Sequence, residues 1–296
     1  VSTRSHSKTA PSRVVPRTAS IRWAALGVFS LILAAATAVA ARAPALPAID
    51  PLTGPRAPLN KNWIGRRSLA AGTPILVLAG HADSQAMAGA GTPGEAVDIH
   101  GAAPMNPAIR DELHWNLLTA ERIVGLGQQR GLNISLYLPP LRTIADGDDP
   151  RTNWSVGKDH VRRGGYALEI HFDAYGPDGI GSGLIPPLMG PFSQLDESLA
   201  AAFGAFPADF RGGLGAPRRG IAMLEIGKLE GTLEASLRNP SSRDIALDAI
   251  ALRVVEAIEA GLADSQAPFR PRLSQQPDGV GSDPSEIRPA TSPGGR

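Results

Sequence analysis

Four short apolar runs, each bounded by glycine or proline, alternate with helical stretches between residues 71 and 263. Ile75–Ala79 ends at Gly80, Ile134–Leu138 at Pro139-Pro140, and Ile221–Ile226 at Gly227, while Gly164-Gly165 precedes Tyr166–Phe172. Runs this short and this apolar read as buried strands. Between them, Asp111 to Arg130 repeats Leu113, Leu117, Ala120 and Val124 near the helical period and stops at Gly131. Leu195–Phe206 reads as a further helix, and Ser241–Leu262 as a long final one with Ile245, Ala249, Leu252, Val255 and Ile258 on one face. Strands separated by helices favour an α/β fold, a mostly parallel sheet with helices on both faces. In such sheets chemistry gathers at the carboxyl ends of the strands.

Chemistry-bearing residues stand at those ends. His81 follows the first run and His171 closes the third, in Ile170-His171. Glu112 opens the long helix, and Glu225 sits in Leu224-Glu225-Ile226-Gly227. Two histidines and a carboxylate can hold a zinc ion and leave one position open. A second carboxylate nearby can take a proton from water, the division of labour of metal-assisted hydrolysis. Glu95 competes with Glu112 as ligand, and Glu230 with Glu225 as base. Glu169 and Asp173 share the strand face of His171, where either could support a ligand, although a solvated or ion-paired role is the plainer reading. His100, His114 and His160 read as structural. Residues 82–109 form a long irregular segment directly after His81, a length usually associated with function or disorder.

Outside residues 71–263 the composition changes. Residues 1–22 carry Arg4, Lys8, Arg13, Arg17 and Arg22 and no acid. The uncharged stretch Trp23–Ala41 follows; as a helix it would span roughly 28 Å, close to a bilayer core. That order of charge puts the basic segment in the cytoplasm and the remainder across the inner membrane. It also suits a cleaved signal with small-residue sites at Ala38-Val39-Ala40 or Ala41-Arg42-Ala43; the length of the basic region favours a retained anchor. Residues 42–70, with Pro44, Pro47, Pro51, Pro55 and Pro58, read as a tether. Residues 264–296, rich in Pro, Ser, Gly and Gln, read as disordered. The net charge of +1 offers no drive towards nucleic acid. With no cysteine in the chain, disulfides and thiolate ligands are excluded, and an exported protein of this kind fits a bacterial envelope.

Taken together, Gly80-His81, Glu112 with Asn116 four residues on, Ile170-His171 and Glu225 with Gly227 resemble the zinc-dependent N-acetylmuramoyl-L-alanine amidases. The resemblance covers about residues 74–262. It implies a cell-wall amidase catalytic domain with zinc on His81, Glu112 and His171 and with Glu225 as the catalytic base. It further implies peptidoglycan as partner and substrate, cut at the amide between N-acetylmuramic acid and the L-alanine of the stem peptide. Such a domain would work in the periplasm or outside the membrane, anchored through residues 23–41 or secreted. The chain departs from the family pattern at Leu78-Ala79, at Ala82-Asp83, at Asp173 and after the second strand, where Arg142 is a loose substitute for an expected Thr-Arg pair. Those departures leave two other readings: an amidase-like binding or regulatory module tethered in the wall, or another zinc amidohydrolase or carboxypeptidase-like enzyme.

Overall fold

The structure, a computed structural model, describes residues 49–59 and 61–263. A two-stranded antiparallel ribbon, β1 (Ile49–Asp50) and β2 (Gly54–Pro55), precedes the main sheet. The sheet is built from β3 (Ile75–Ala79), β4 (Ile134–Tyr137), β5 (Tyr166–Asp173), β6 (Gly183–Ile185) and β7 (Ala222–Lys228). Their spatial order is β4-β3-β5-β7-β6, and all neighbours are parallel except the β6–β7 pair. The four strands expected from the sequence are the four parallel ones. β6 was not anticipated, because three residues carry no period of their own.

Alternation along the strands sorts the two faces of the sheet. Ile75, Val77, Leu168, Ile170, Leu224 and Ile226 point into the larger core. That core is covered by α2 (Asp111–Gln129), α4 (Gln194–Phe203), α6 (Gly231–Arg238) and α7 (Pro240–Ala263). Leu76, Leu78, Ala167 and Met223 point the other way, into a smaller core under α3 (Asn153–Arg162) and α5 (Gly215–Arg218). Glu169, His171 and Glu225 belong by parity to this second, thinner face. There the covering helices are short, and polar side chains can open into a cavity.

Two expectations need correction. Residues 49–59 and 61–70 are folded, not a tether: Thr53, Ala57, Trp63 and Leu69 are buried. The Trp63 indole donates to the Phe206 carbonyl at 2.8 Å, and Asp50 accepts from Arg253 of α7 at 2.9 Å. Proline-rich chain without periodicity can still be held by single long-range anchors such as these. The face of α7 also differs. Ile245 is 72% exposed and Leu252 is 40% exposed, while Leu247, Ile250, Ala251, Val254 and Ile258 are buried together with Val255. With apolar residues on most of its circumference, this helix has its buried face chosen by its neighbours α2, α4 and α6. Among the described residues no helix is long and apolar enough to cross a membrane. Trp23–Ala41 and residues 264–296 lie outside the described residues.

Candidate metal centre and active site

The β3 strand ends in Gly80, and the chain turns sharply at His81, whose φ of 63° is in the left-handed region. A β-carbon in that region is a cost that surrounding structure must offset. Here it is held from three sides. Asn116 Nδ2 of α2 donates to the Gly80 carbonyl at 3.0 Å, Asn153 Nδ2 of α3 to the Ala79 carbonyl at 2.6 Å, and Gln85 Nε2 to the His81 carbonyl at 3.0 Å. The turn directs the His81 ring at that of His171, edge to face, with ring centroids 4.8 Å apart.

Glu112 stands in the first turn of α2 and is buried. Its Oε2 accepts from the Thr92 amide at 2.7 Å. Gly91, at a φ of +90°, passes so close that a Cβ there would lie 2.7 Å from the same oxygen. The segment 82–109 therefore serves the site: it wraps the ligand residues and fixes one oxygen of Glu112. The other, Oε1, lies 3.2 Å from His81 Nε2 and 3.1 Å from His171 Nδ1. Among the described residues these three are the group whose donor atoms lie within 4.8 Å of one another.

The donor set fits a zinc ion. Tetrahedral bonds of about 2.0–2.1 Å place neighbouring ligand atoms roughly 3.3 Å apart, close to both separations from Glu112 Oε1. On its far side His171 faces Glu169, with Nε2 3.6 Å from Oε2. That Nε2 is buried without a hydrogen-bond partner. A carboxylate behind a ligating imidazole is the arrangement that orients such a ring. Glu169 is thus buried and aimed at the site: of the solvated or ion-paired role expected for it, the solvated one does not hold, and its partner is His171. Asp173 instead accepts from the amides of Ala174, Ile180 and Gly181 and shapes the following loop.

The electrostatics are steep. Burial pushes the Glu112 carboxyl up, but His81 and His171 outweigh it and hold the group far below the usual carboxylate range. Burial disfavours a charged His171, yet hydrogen bonding to Glu112 and Glu169 raises its imidazole well above the ordinary value. Glu225 lies across from His171 in register on β7. Burial pushes its carboxyl up to about 8, with Asp173 and Glu112 adding to the rise and His171 opposing it. Its Oε2 is shut off from water and unpartnered. A carboxyl tuned to the neutral range beside a ligand cluster can take up and release a proton.

All four residues line one cavity of about 610 Å³. Its walls include Met87, Ala88, Gly91 and Thr92 of the segment after His81, together with Trp154, Leu214 and Ala216. The competitors fall elsewhere. Glu95 accepts from the Gly231 amide, and Glu230 is paired with Lys228 at 2.6 Å. His160 bonds the Pro74 carbonyl and His114 packs on Trp115, while His100 is exposed. Arg142 is exposed and outside the cavity; its carbonyl merely accepts from Gln85. Sequence reasoning missed Asn153, which opens a helix without a sustained apolar stripe, and Arg211, a loop residue that also lines the cavity.

No protein-family model and no curated protein matches the chain. Similar solved structures include the catalytic domain of CwlV, an N-acetylmuramoyl-L-alanine amidase from Bacillus (Paenibacillus) polymyxa var. colistinus. It is 16% identical over 64% of this chain and 97% of that one, with a TM-score of 0.42. The apo N-acetylmuramyl-L-alanine amidase Ami1 of Mycobacterium abscessus is also 16% identical, over 64% of this chain and 98% of that one, with a TM-score of 0.41. Ami1 of Mycobacterium smegmatis is 15% identical over 67% and 97%, with a TM-score of 0.37.

Proposed function

We propose that this protein is a zinc-dependent amidase that hydrolyses the bond between N-acetylmuramic acid and the L-alanine of peptidoglycan stem peptides. One observation carries the hydrolase reading: His81, Glu112 and His171 converge in a cavity that also holds the unpartnered carboxyl of Glu225. The choice of amide rests on the resemblance in Gly80-His81, Glu112, Ile170-His171 and Glu225.

In this reading His81 Nε2, Glu112 Oε1 and His171 Nδ1 hold the ion, and Glu169 steadies the His171 ring from behind. Zinc bound there would polarise a carbonyl and make water more acidic. Glu225 accepts the proton of the attacking water and returns it to the leaving amine, since no other titratable side chain of the cavity combines an unpartnered buried oxygen with a carboxyl tuned near neutrality. Met87 and Trp154 add apolar surface to the walls of the cavity. The basic and apolar segments up to residue 41 support a place in the bacterial envelope, anchored or secreted.

The test is digestion of purified peptidoglycan by the zinc-loaded full chain, with mass spectrometry of the products. Release of stem peptides with a free L-alanine amine is expected, and Glu225→Gln should lower it about 10²–10⁴-fold while zinc content is unchanged. Wild-type protein that retains zinc and binds wall material without cutting it would support the binding module instead. Cleavage elsewhere in the peptide would support another amidohydrolase.

A further inference from the structure

We infer that Arg211 is a specificity-determining residue that binds a carboxylate of the substrate beside the scissile amide; this rests on the amidase reading and deepens it. Arg211 lines the cavity and, among the described residues, is the sole arginine or lysine to do so, against the carboxyl groups of Asp83, Glu112, Glu169, Asp173 and Glu225. Its charge reaches Glu225, where it opposes the effect of burial. Within such an acidic cavity a substrate carboxylate is repelled almost everywhere. Apart from the metal centre, the guanidinium of Arg211 is the cationic address that the described side chains of the cavity offer such a group.

The backbone and side chain are arranged for that role. Arg211 has a φ of 50°, a left-handed conformation that is uncommon for a residue with a β-carbon, and Gly212 and Gly213 follow it at 73° and 87°. Strain of this kind persists where the surrounding structure imposes it, often at ligand clamps. The side chain is tethered rather than consumed. Nη2 donates to the Asp178 carbonyl at 3.0 Å, and the guanidinium lies 5.1 Å from the Phe210 ring centroid. Among the described residues no carboxylate pairs with it, which leaves donors of the planar fork for a ligand. In a stem peptide the carboxylate nearest the scissile amide is the free α-carboxylate of a γ-linked glutamate after L-alanine.

The test uses two muramoyl dipeptides that differ only in that group, L-alanyl-D-glutamate capped as its γ-methylamide with the α-carboxyl either free or as the carboxamide, with the zinc-loaded full chain. Wild-type protein should favour the carboxylate by about tenfold or more in kcat/KM. Arg211→Gln should erase the preference mainly through KM, and Arg211→Lys should restore part of it. Calorimetric binding of the free dipeptides, L-alanyl-D-glutamate γ-methylamide and its α-carboxamide, supplies a readout without turnover. If the wild type cuts neither muramoyl substrate yet binds the carboxylate dipeptide preferentially through Arg211, the inference stands and the amidase reading falls. Equal handling of both ligands by the wild type, or an equal loss for both in Arg211→Gln, overturns the inference.

Discussion

Gly80 and His171 are in direct apposition: a Cβ at position 80 would lie 2.6 Å from His171 Nδ1 and nearer still to Cε1. The glycine before His81 is thus explained by the ring of another residue, packed flat against the chain one strand away. A methyl group there must displace the imidazole from Glu112. Gly80→Ala is expected to cost about 1–3 kcal/mol by overpacking, and to weaken zinc binding about tenfold or more through the displaced ring. Chemical unfolding and competitive zinc titration check the two effects. Unchanged affinity would show that the ring can move without loss.

The metal centre predicts its own stoichiometry. The full chain should retain about one zinc ion, and His81→Ala or His171→Ala should each lose most of it, because a three-ligand site has no spare donor. Elemental analysis after dialysis reads the result. A His81→Ala, His171→Ala double variant that still carries one equivalent of zinc would falsify the ligand assignment.

The N-terminal strap should be required for folding. Trp63 is buried, donates to Phe206 and packs 5.4 Å from the Phe192 ring. Trp63→Ala should cost about 3–5 kcal/mol, the range for emptying an aromatic site in a core. A fragment of residues 71–263 should show a lower melting temperature and a broader transition than residues 49–263. Superimposable melting curves would return residues 49–70 to the role of a tether.

The stability of the metal-free protein should fall as pH rises between about 4.5 and 8. Burial raises the Glu225 carboxyl to about 8, so the folded protein keeps a proton that the unfolded chain has released across this window. Stability from this group is full below the unfolded value and lost as pH climbs through the folded one. The raised imidazole of His171 acts with the same sign above its ordinary value. Urea unfolding with a chelator at pH 5, 6.5 and 8 should give a shallower decline for Glu225→Gln than for the wild type. Parallel declines would mean that Glu225 already ionises at acid pH in the fold.

Much of this architecture was legible from local pattern. A run such as Ile75–Ala79 is too short and too apolar to be anything but a buried strand, and the period of Asp111–Arg130 announces its helix. Strand parity places Glu169, His171 and Asp173 on one face, and only the register of β5 with β7 brings Glu225 beside them. The candidate ligand residues were found where those patterns end, since strand ends and helix starts are where a parallel sheet exposes side chains. What the sequence by itself determined was therefore the set of elements and the chemistry available at their ends.

Tertiary structure alone decided how each carboxylate is used and what the loops do. Glu169 and Asp173 share a face and a strand, yet one is buried behind His171 and the other accepts hydrogen bonds from loop amides. Their difference depends on Asn153 and on residues 174–181, segments without a local signal. Ile245 and Leu252 carry the same helical period as their buried neighbours, and only the positions of α2, α4 and α6 leave them in solvent. Arg211 and Trp63 reach the cavity and the core from irregular chain. Periodicity records interactions between residues a few positions apart along one element, whereas these roles are set by contacts between separate segments, from Asp173 with Ile180 to Trp63 with Phe206, whose partners no local pattern names.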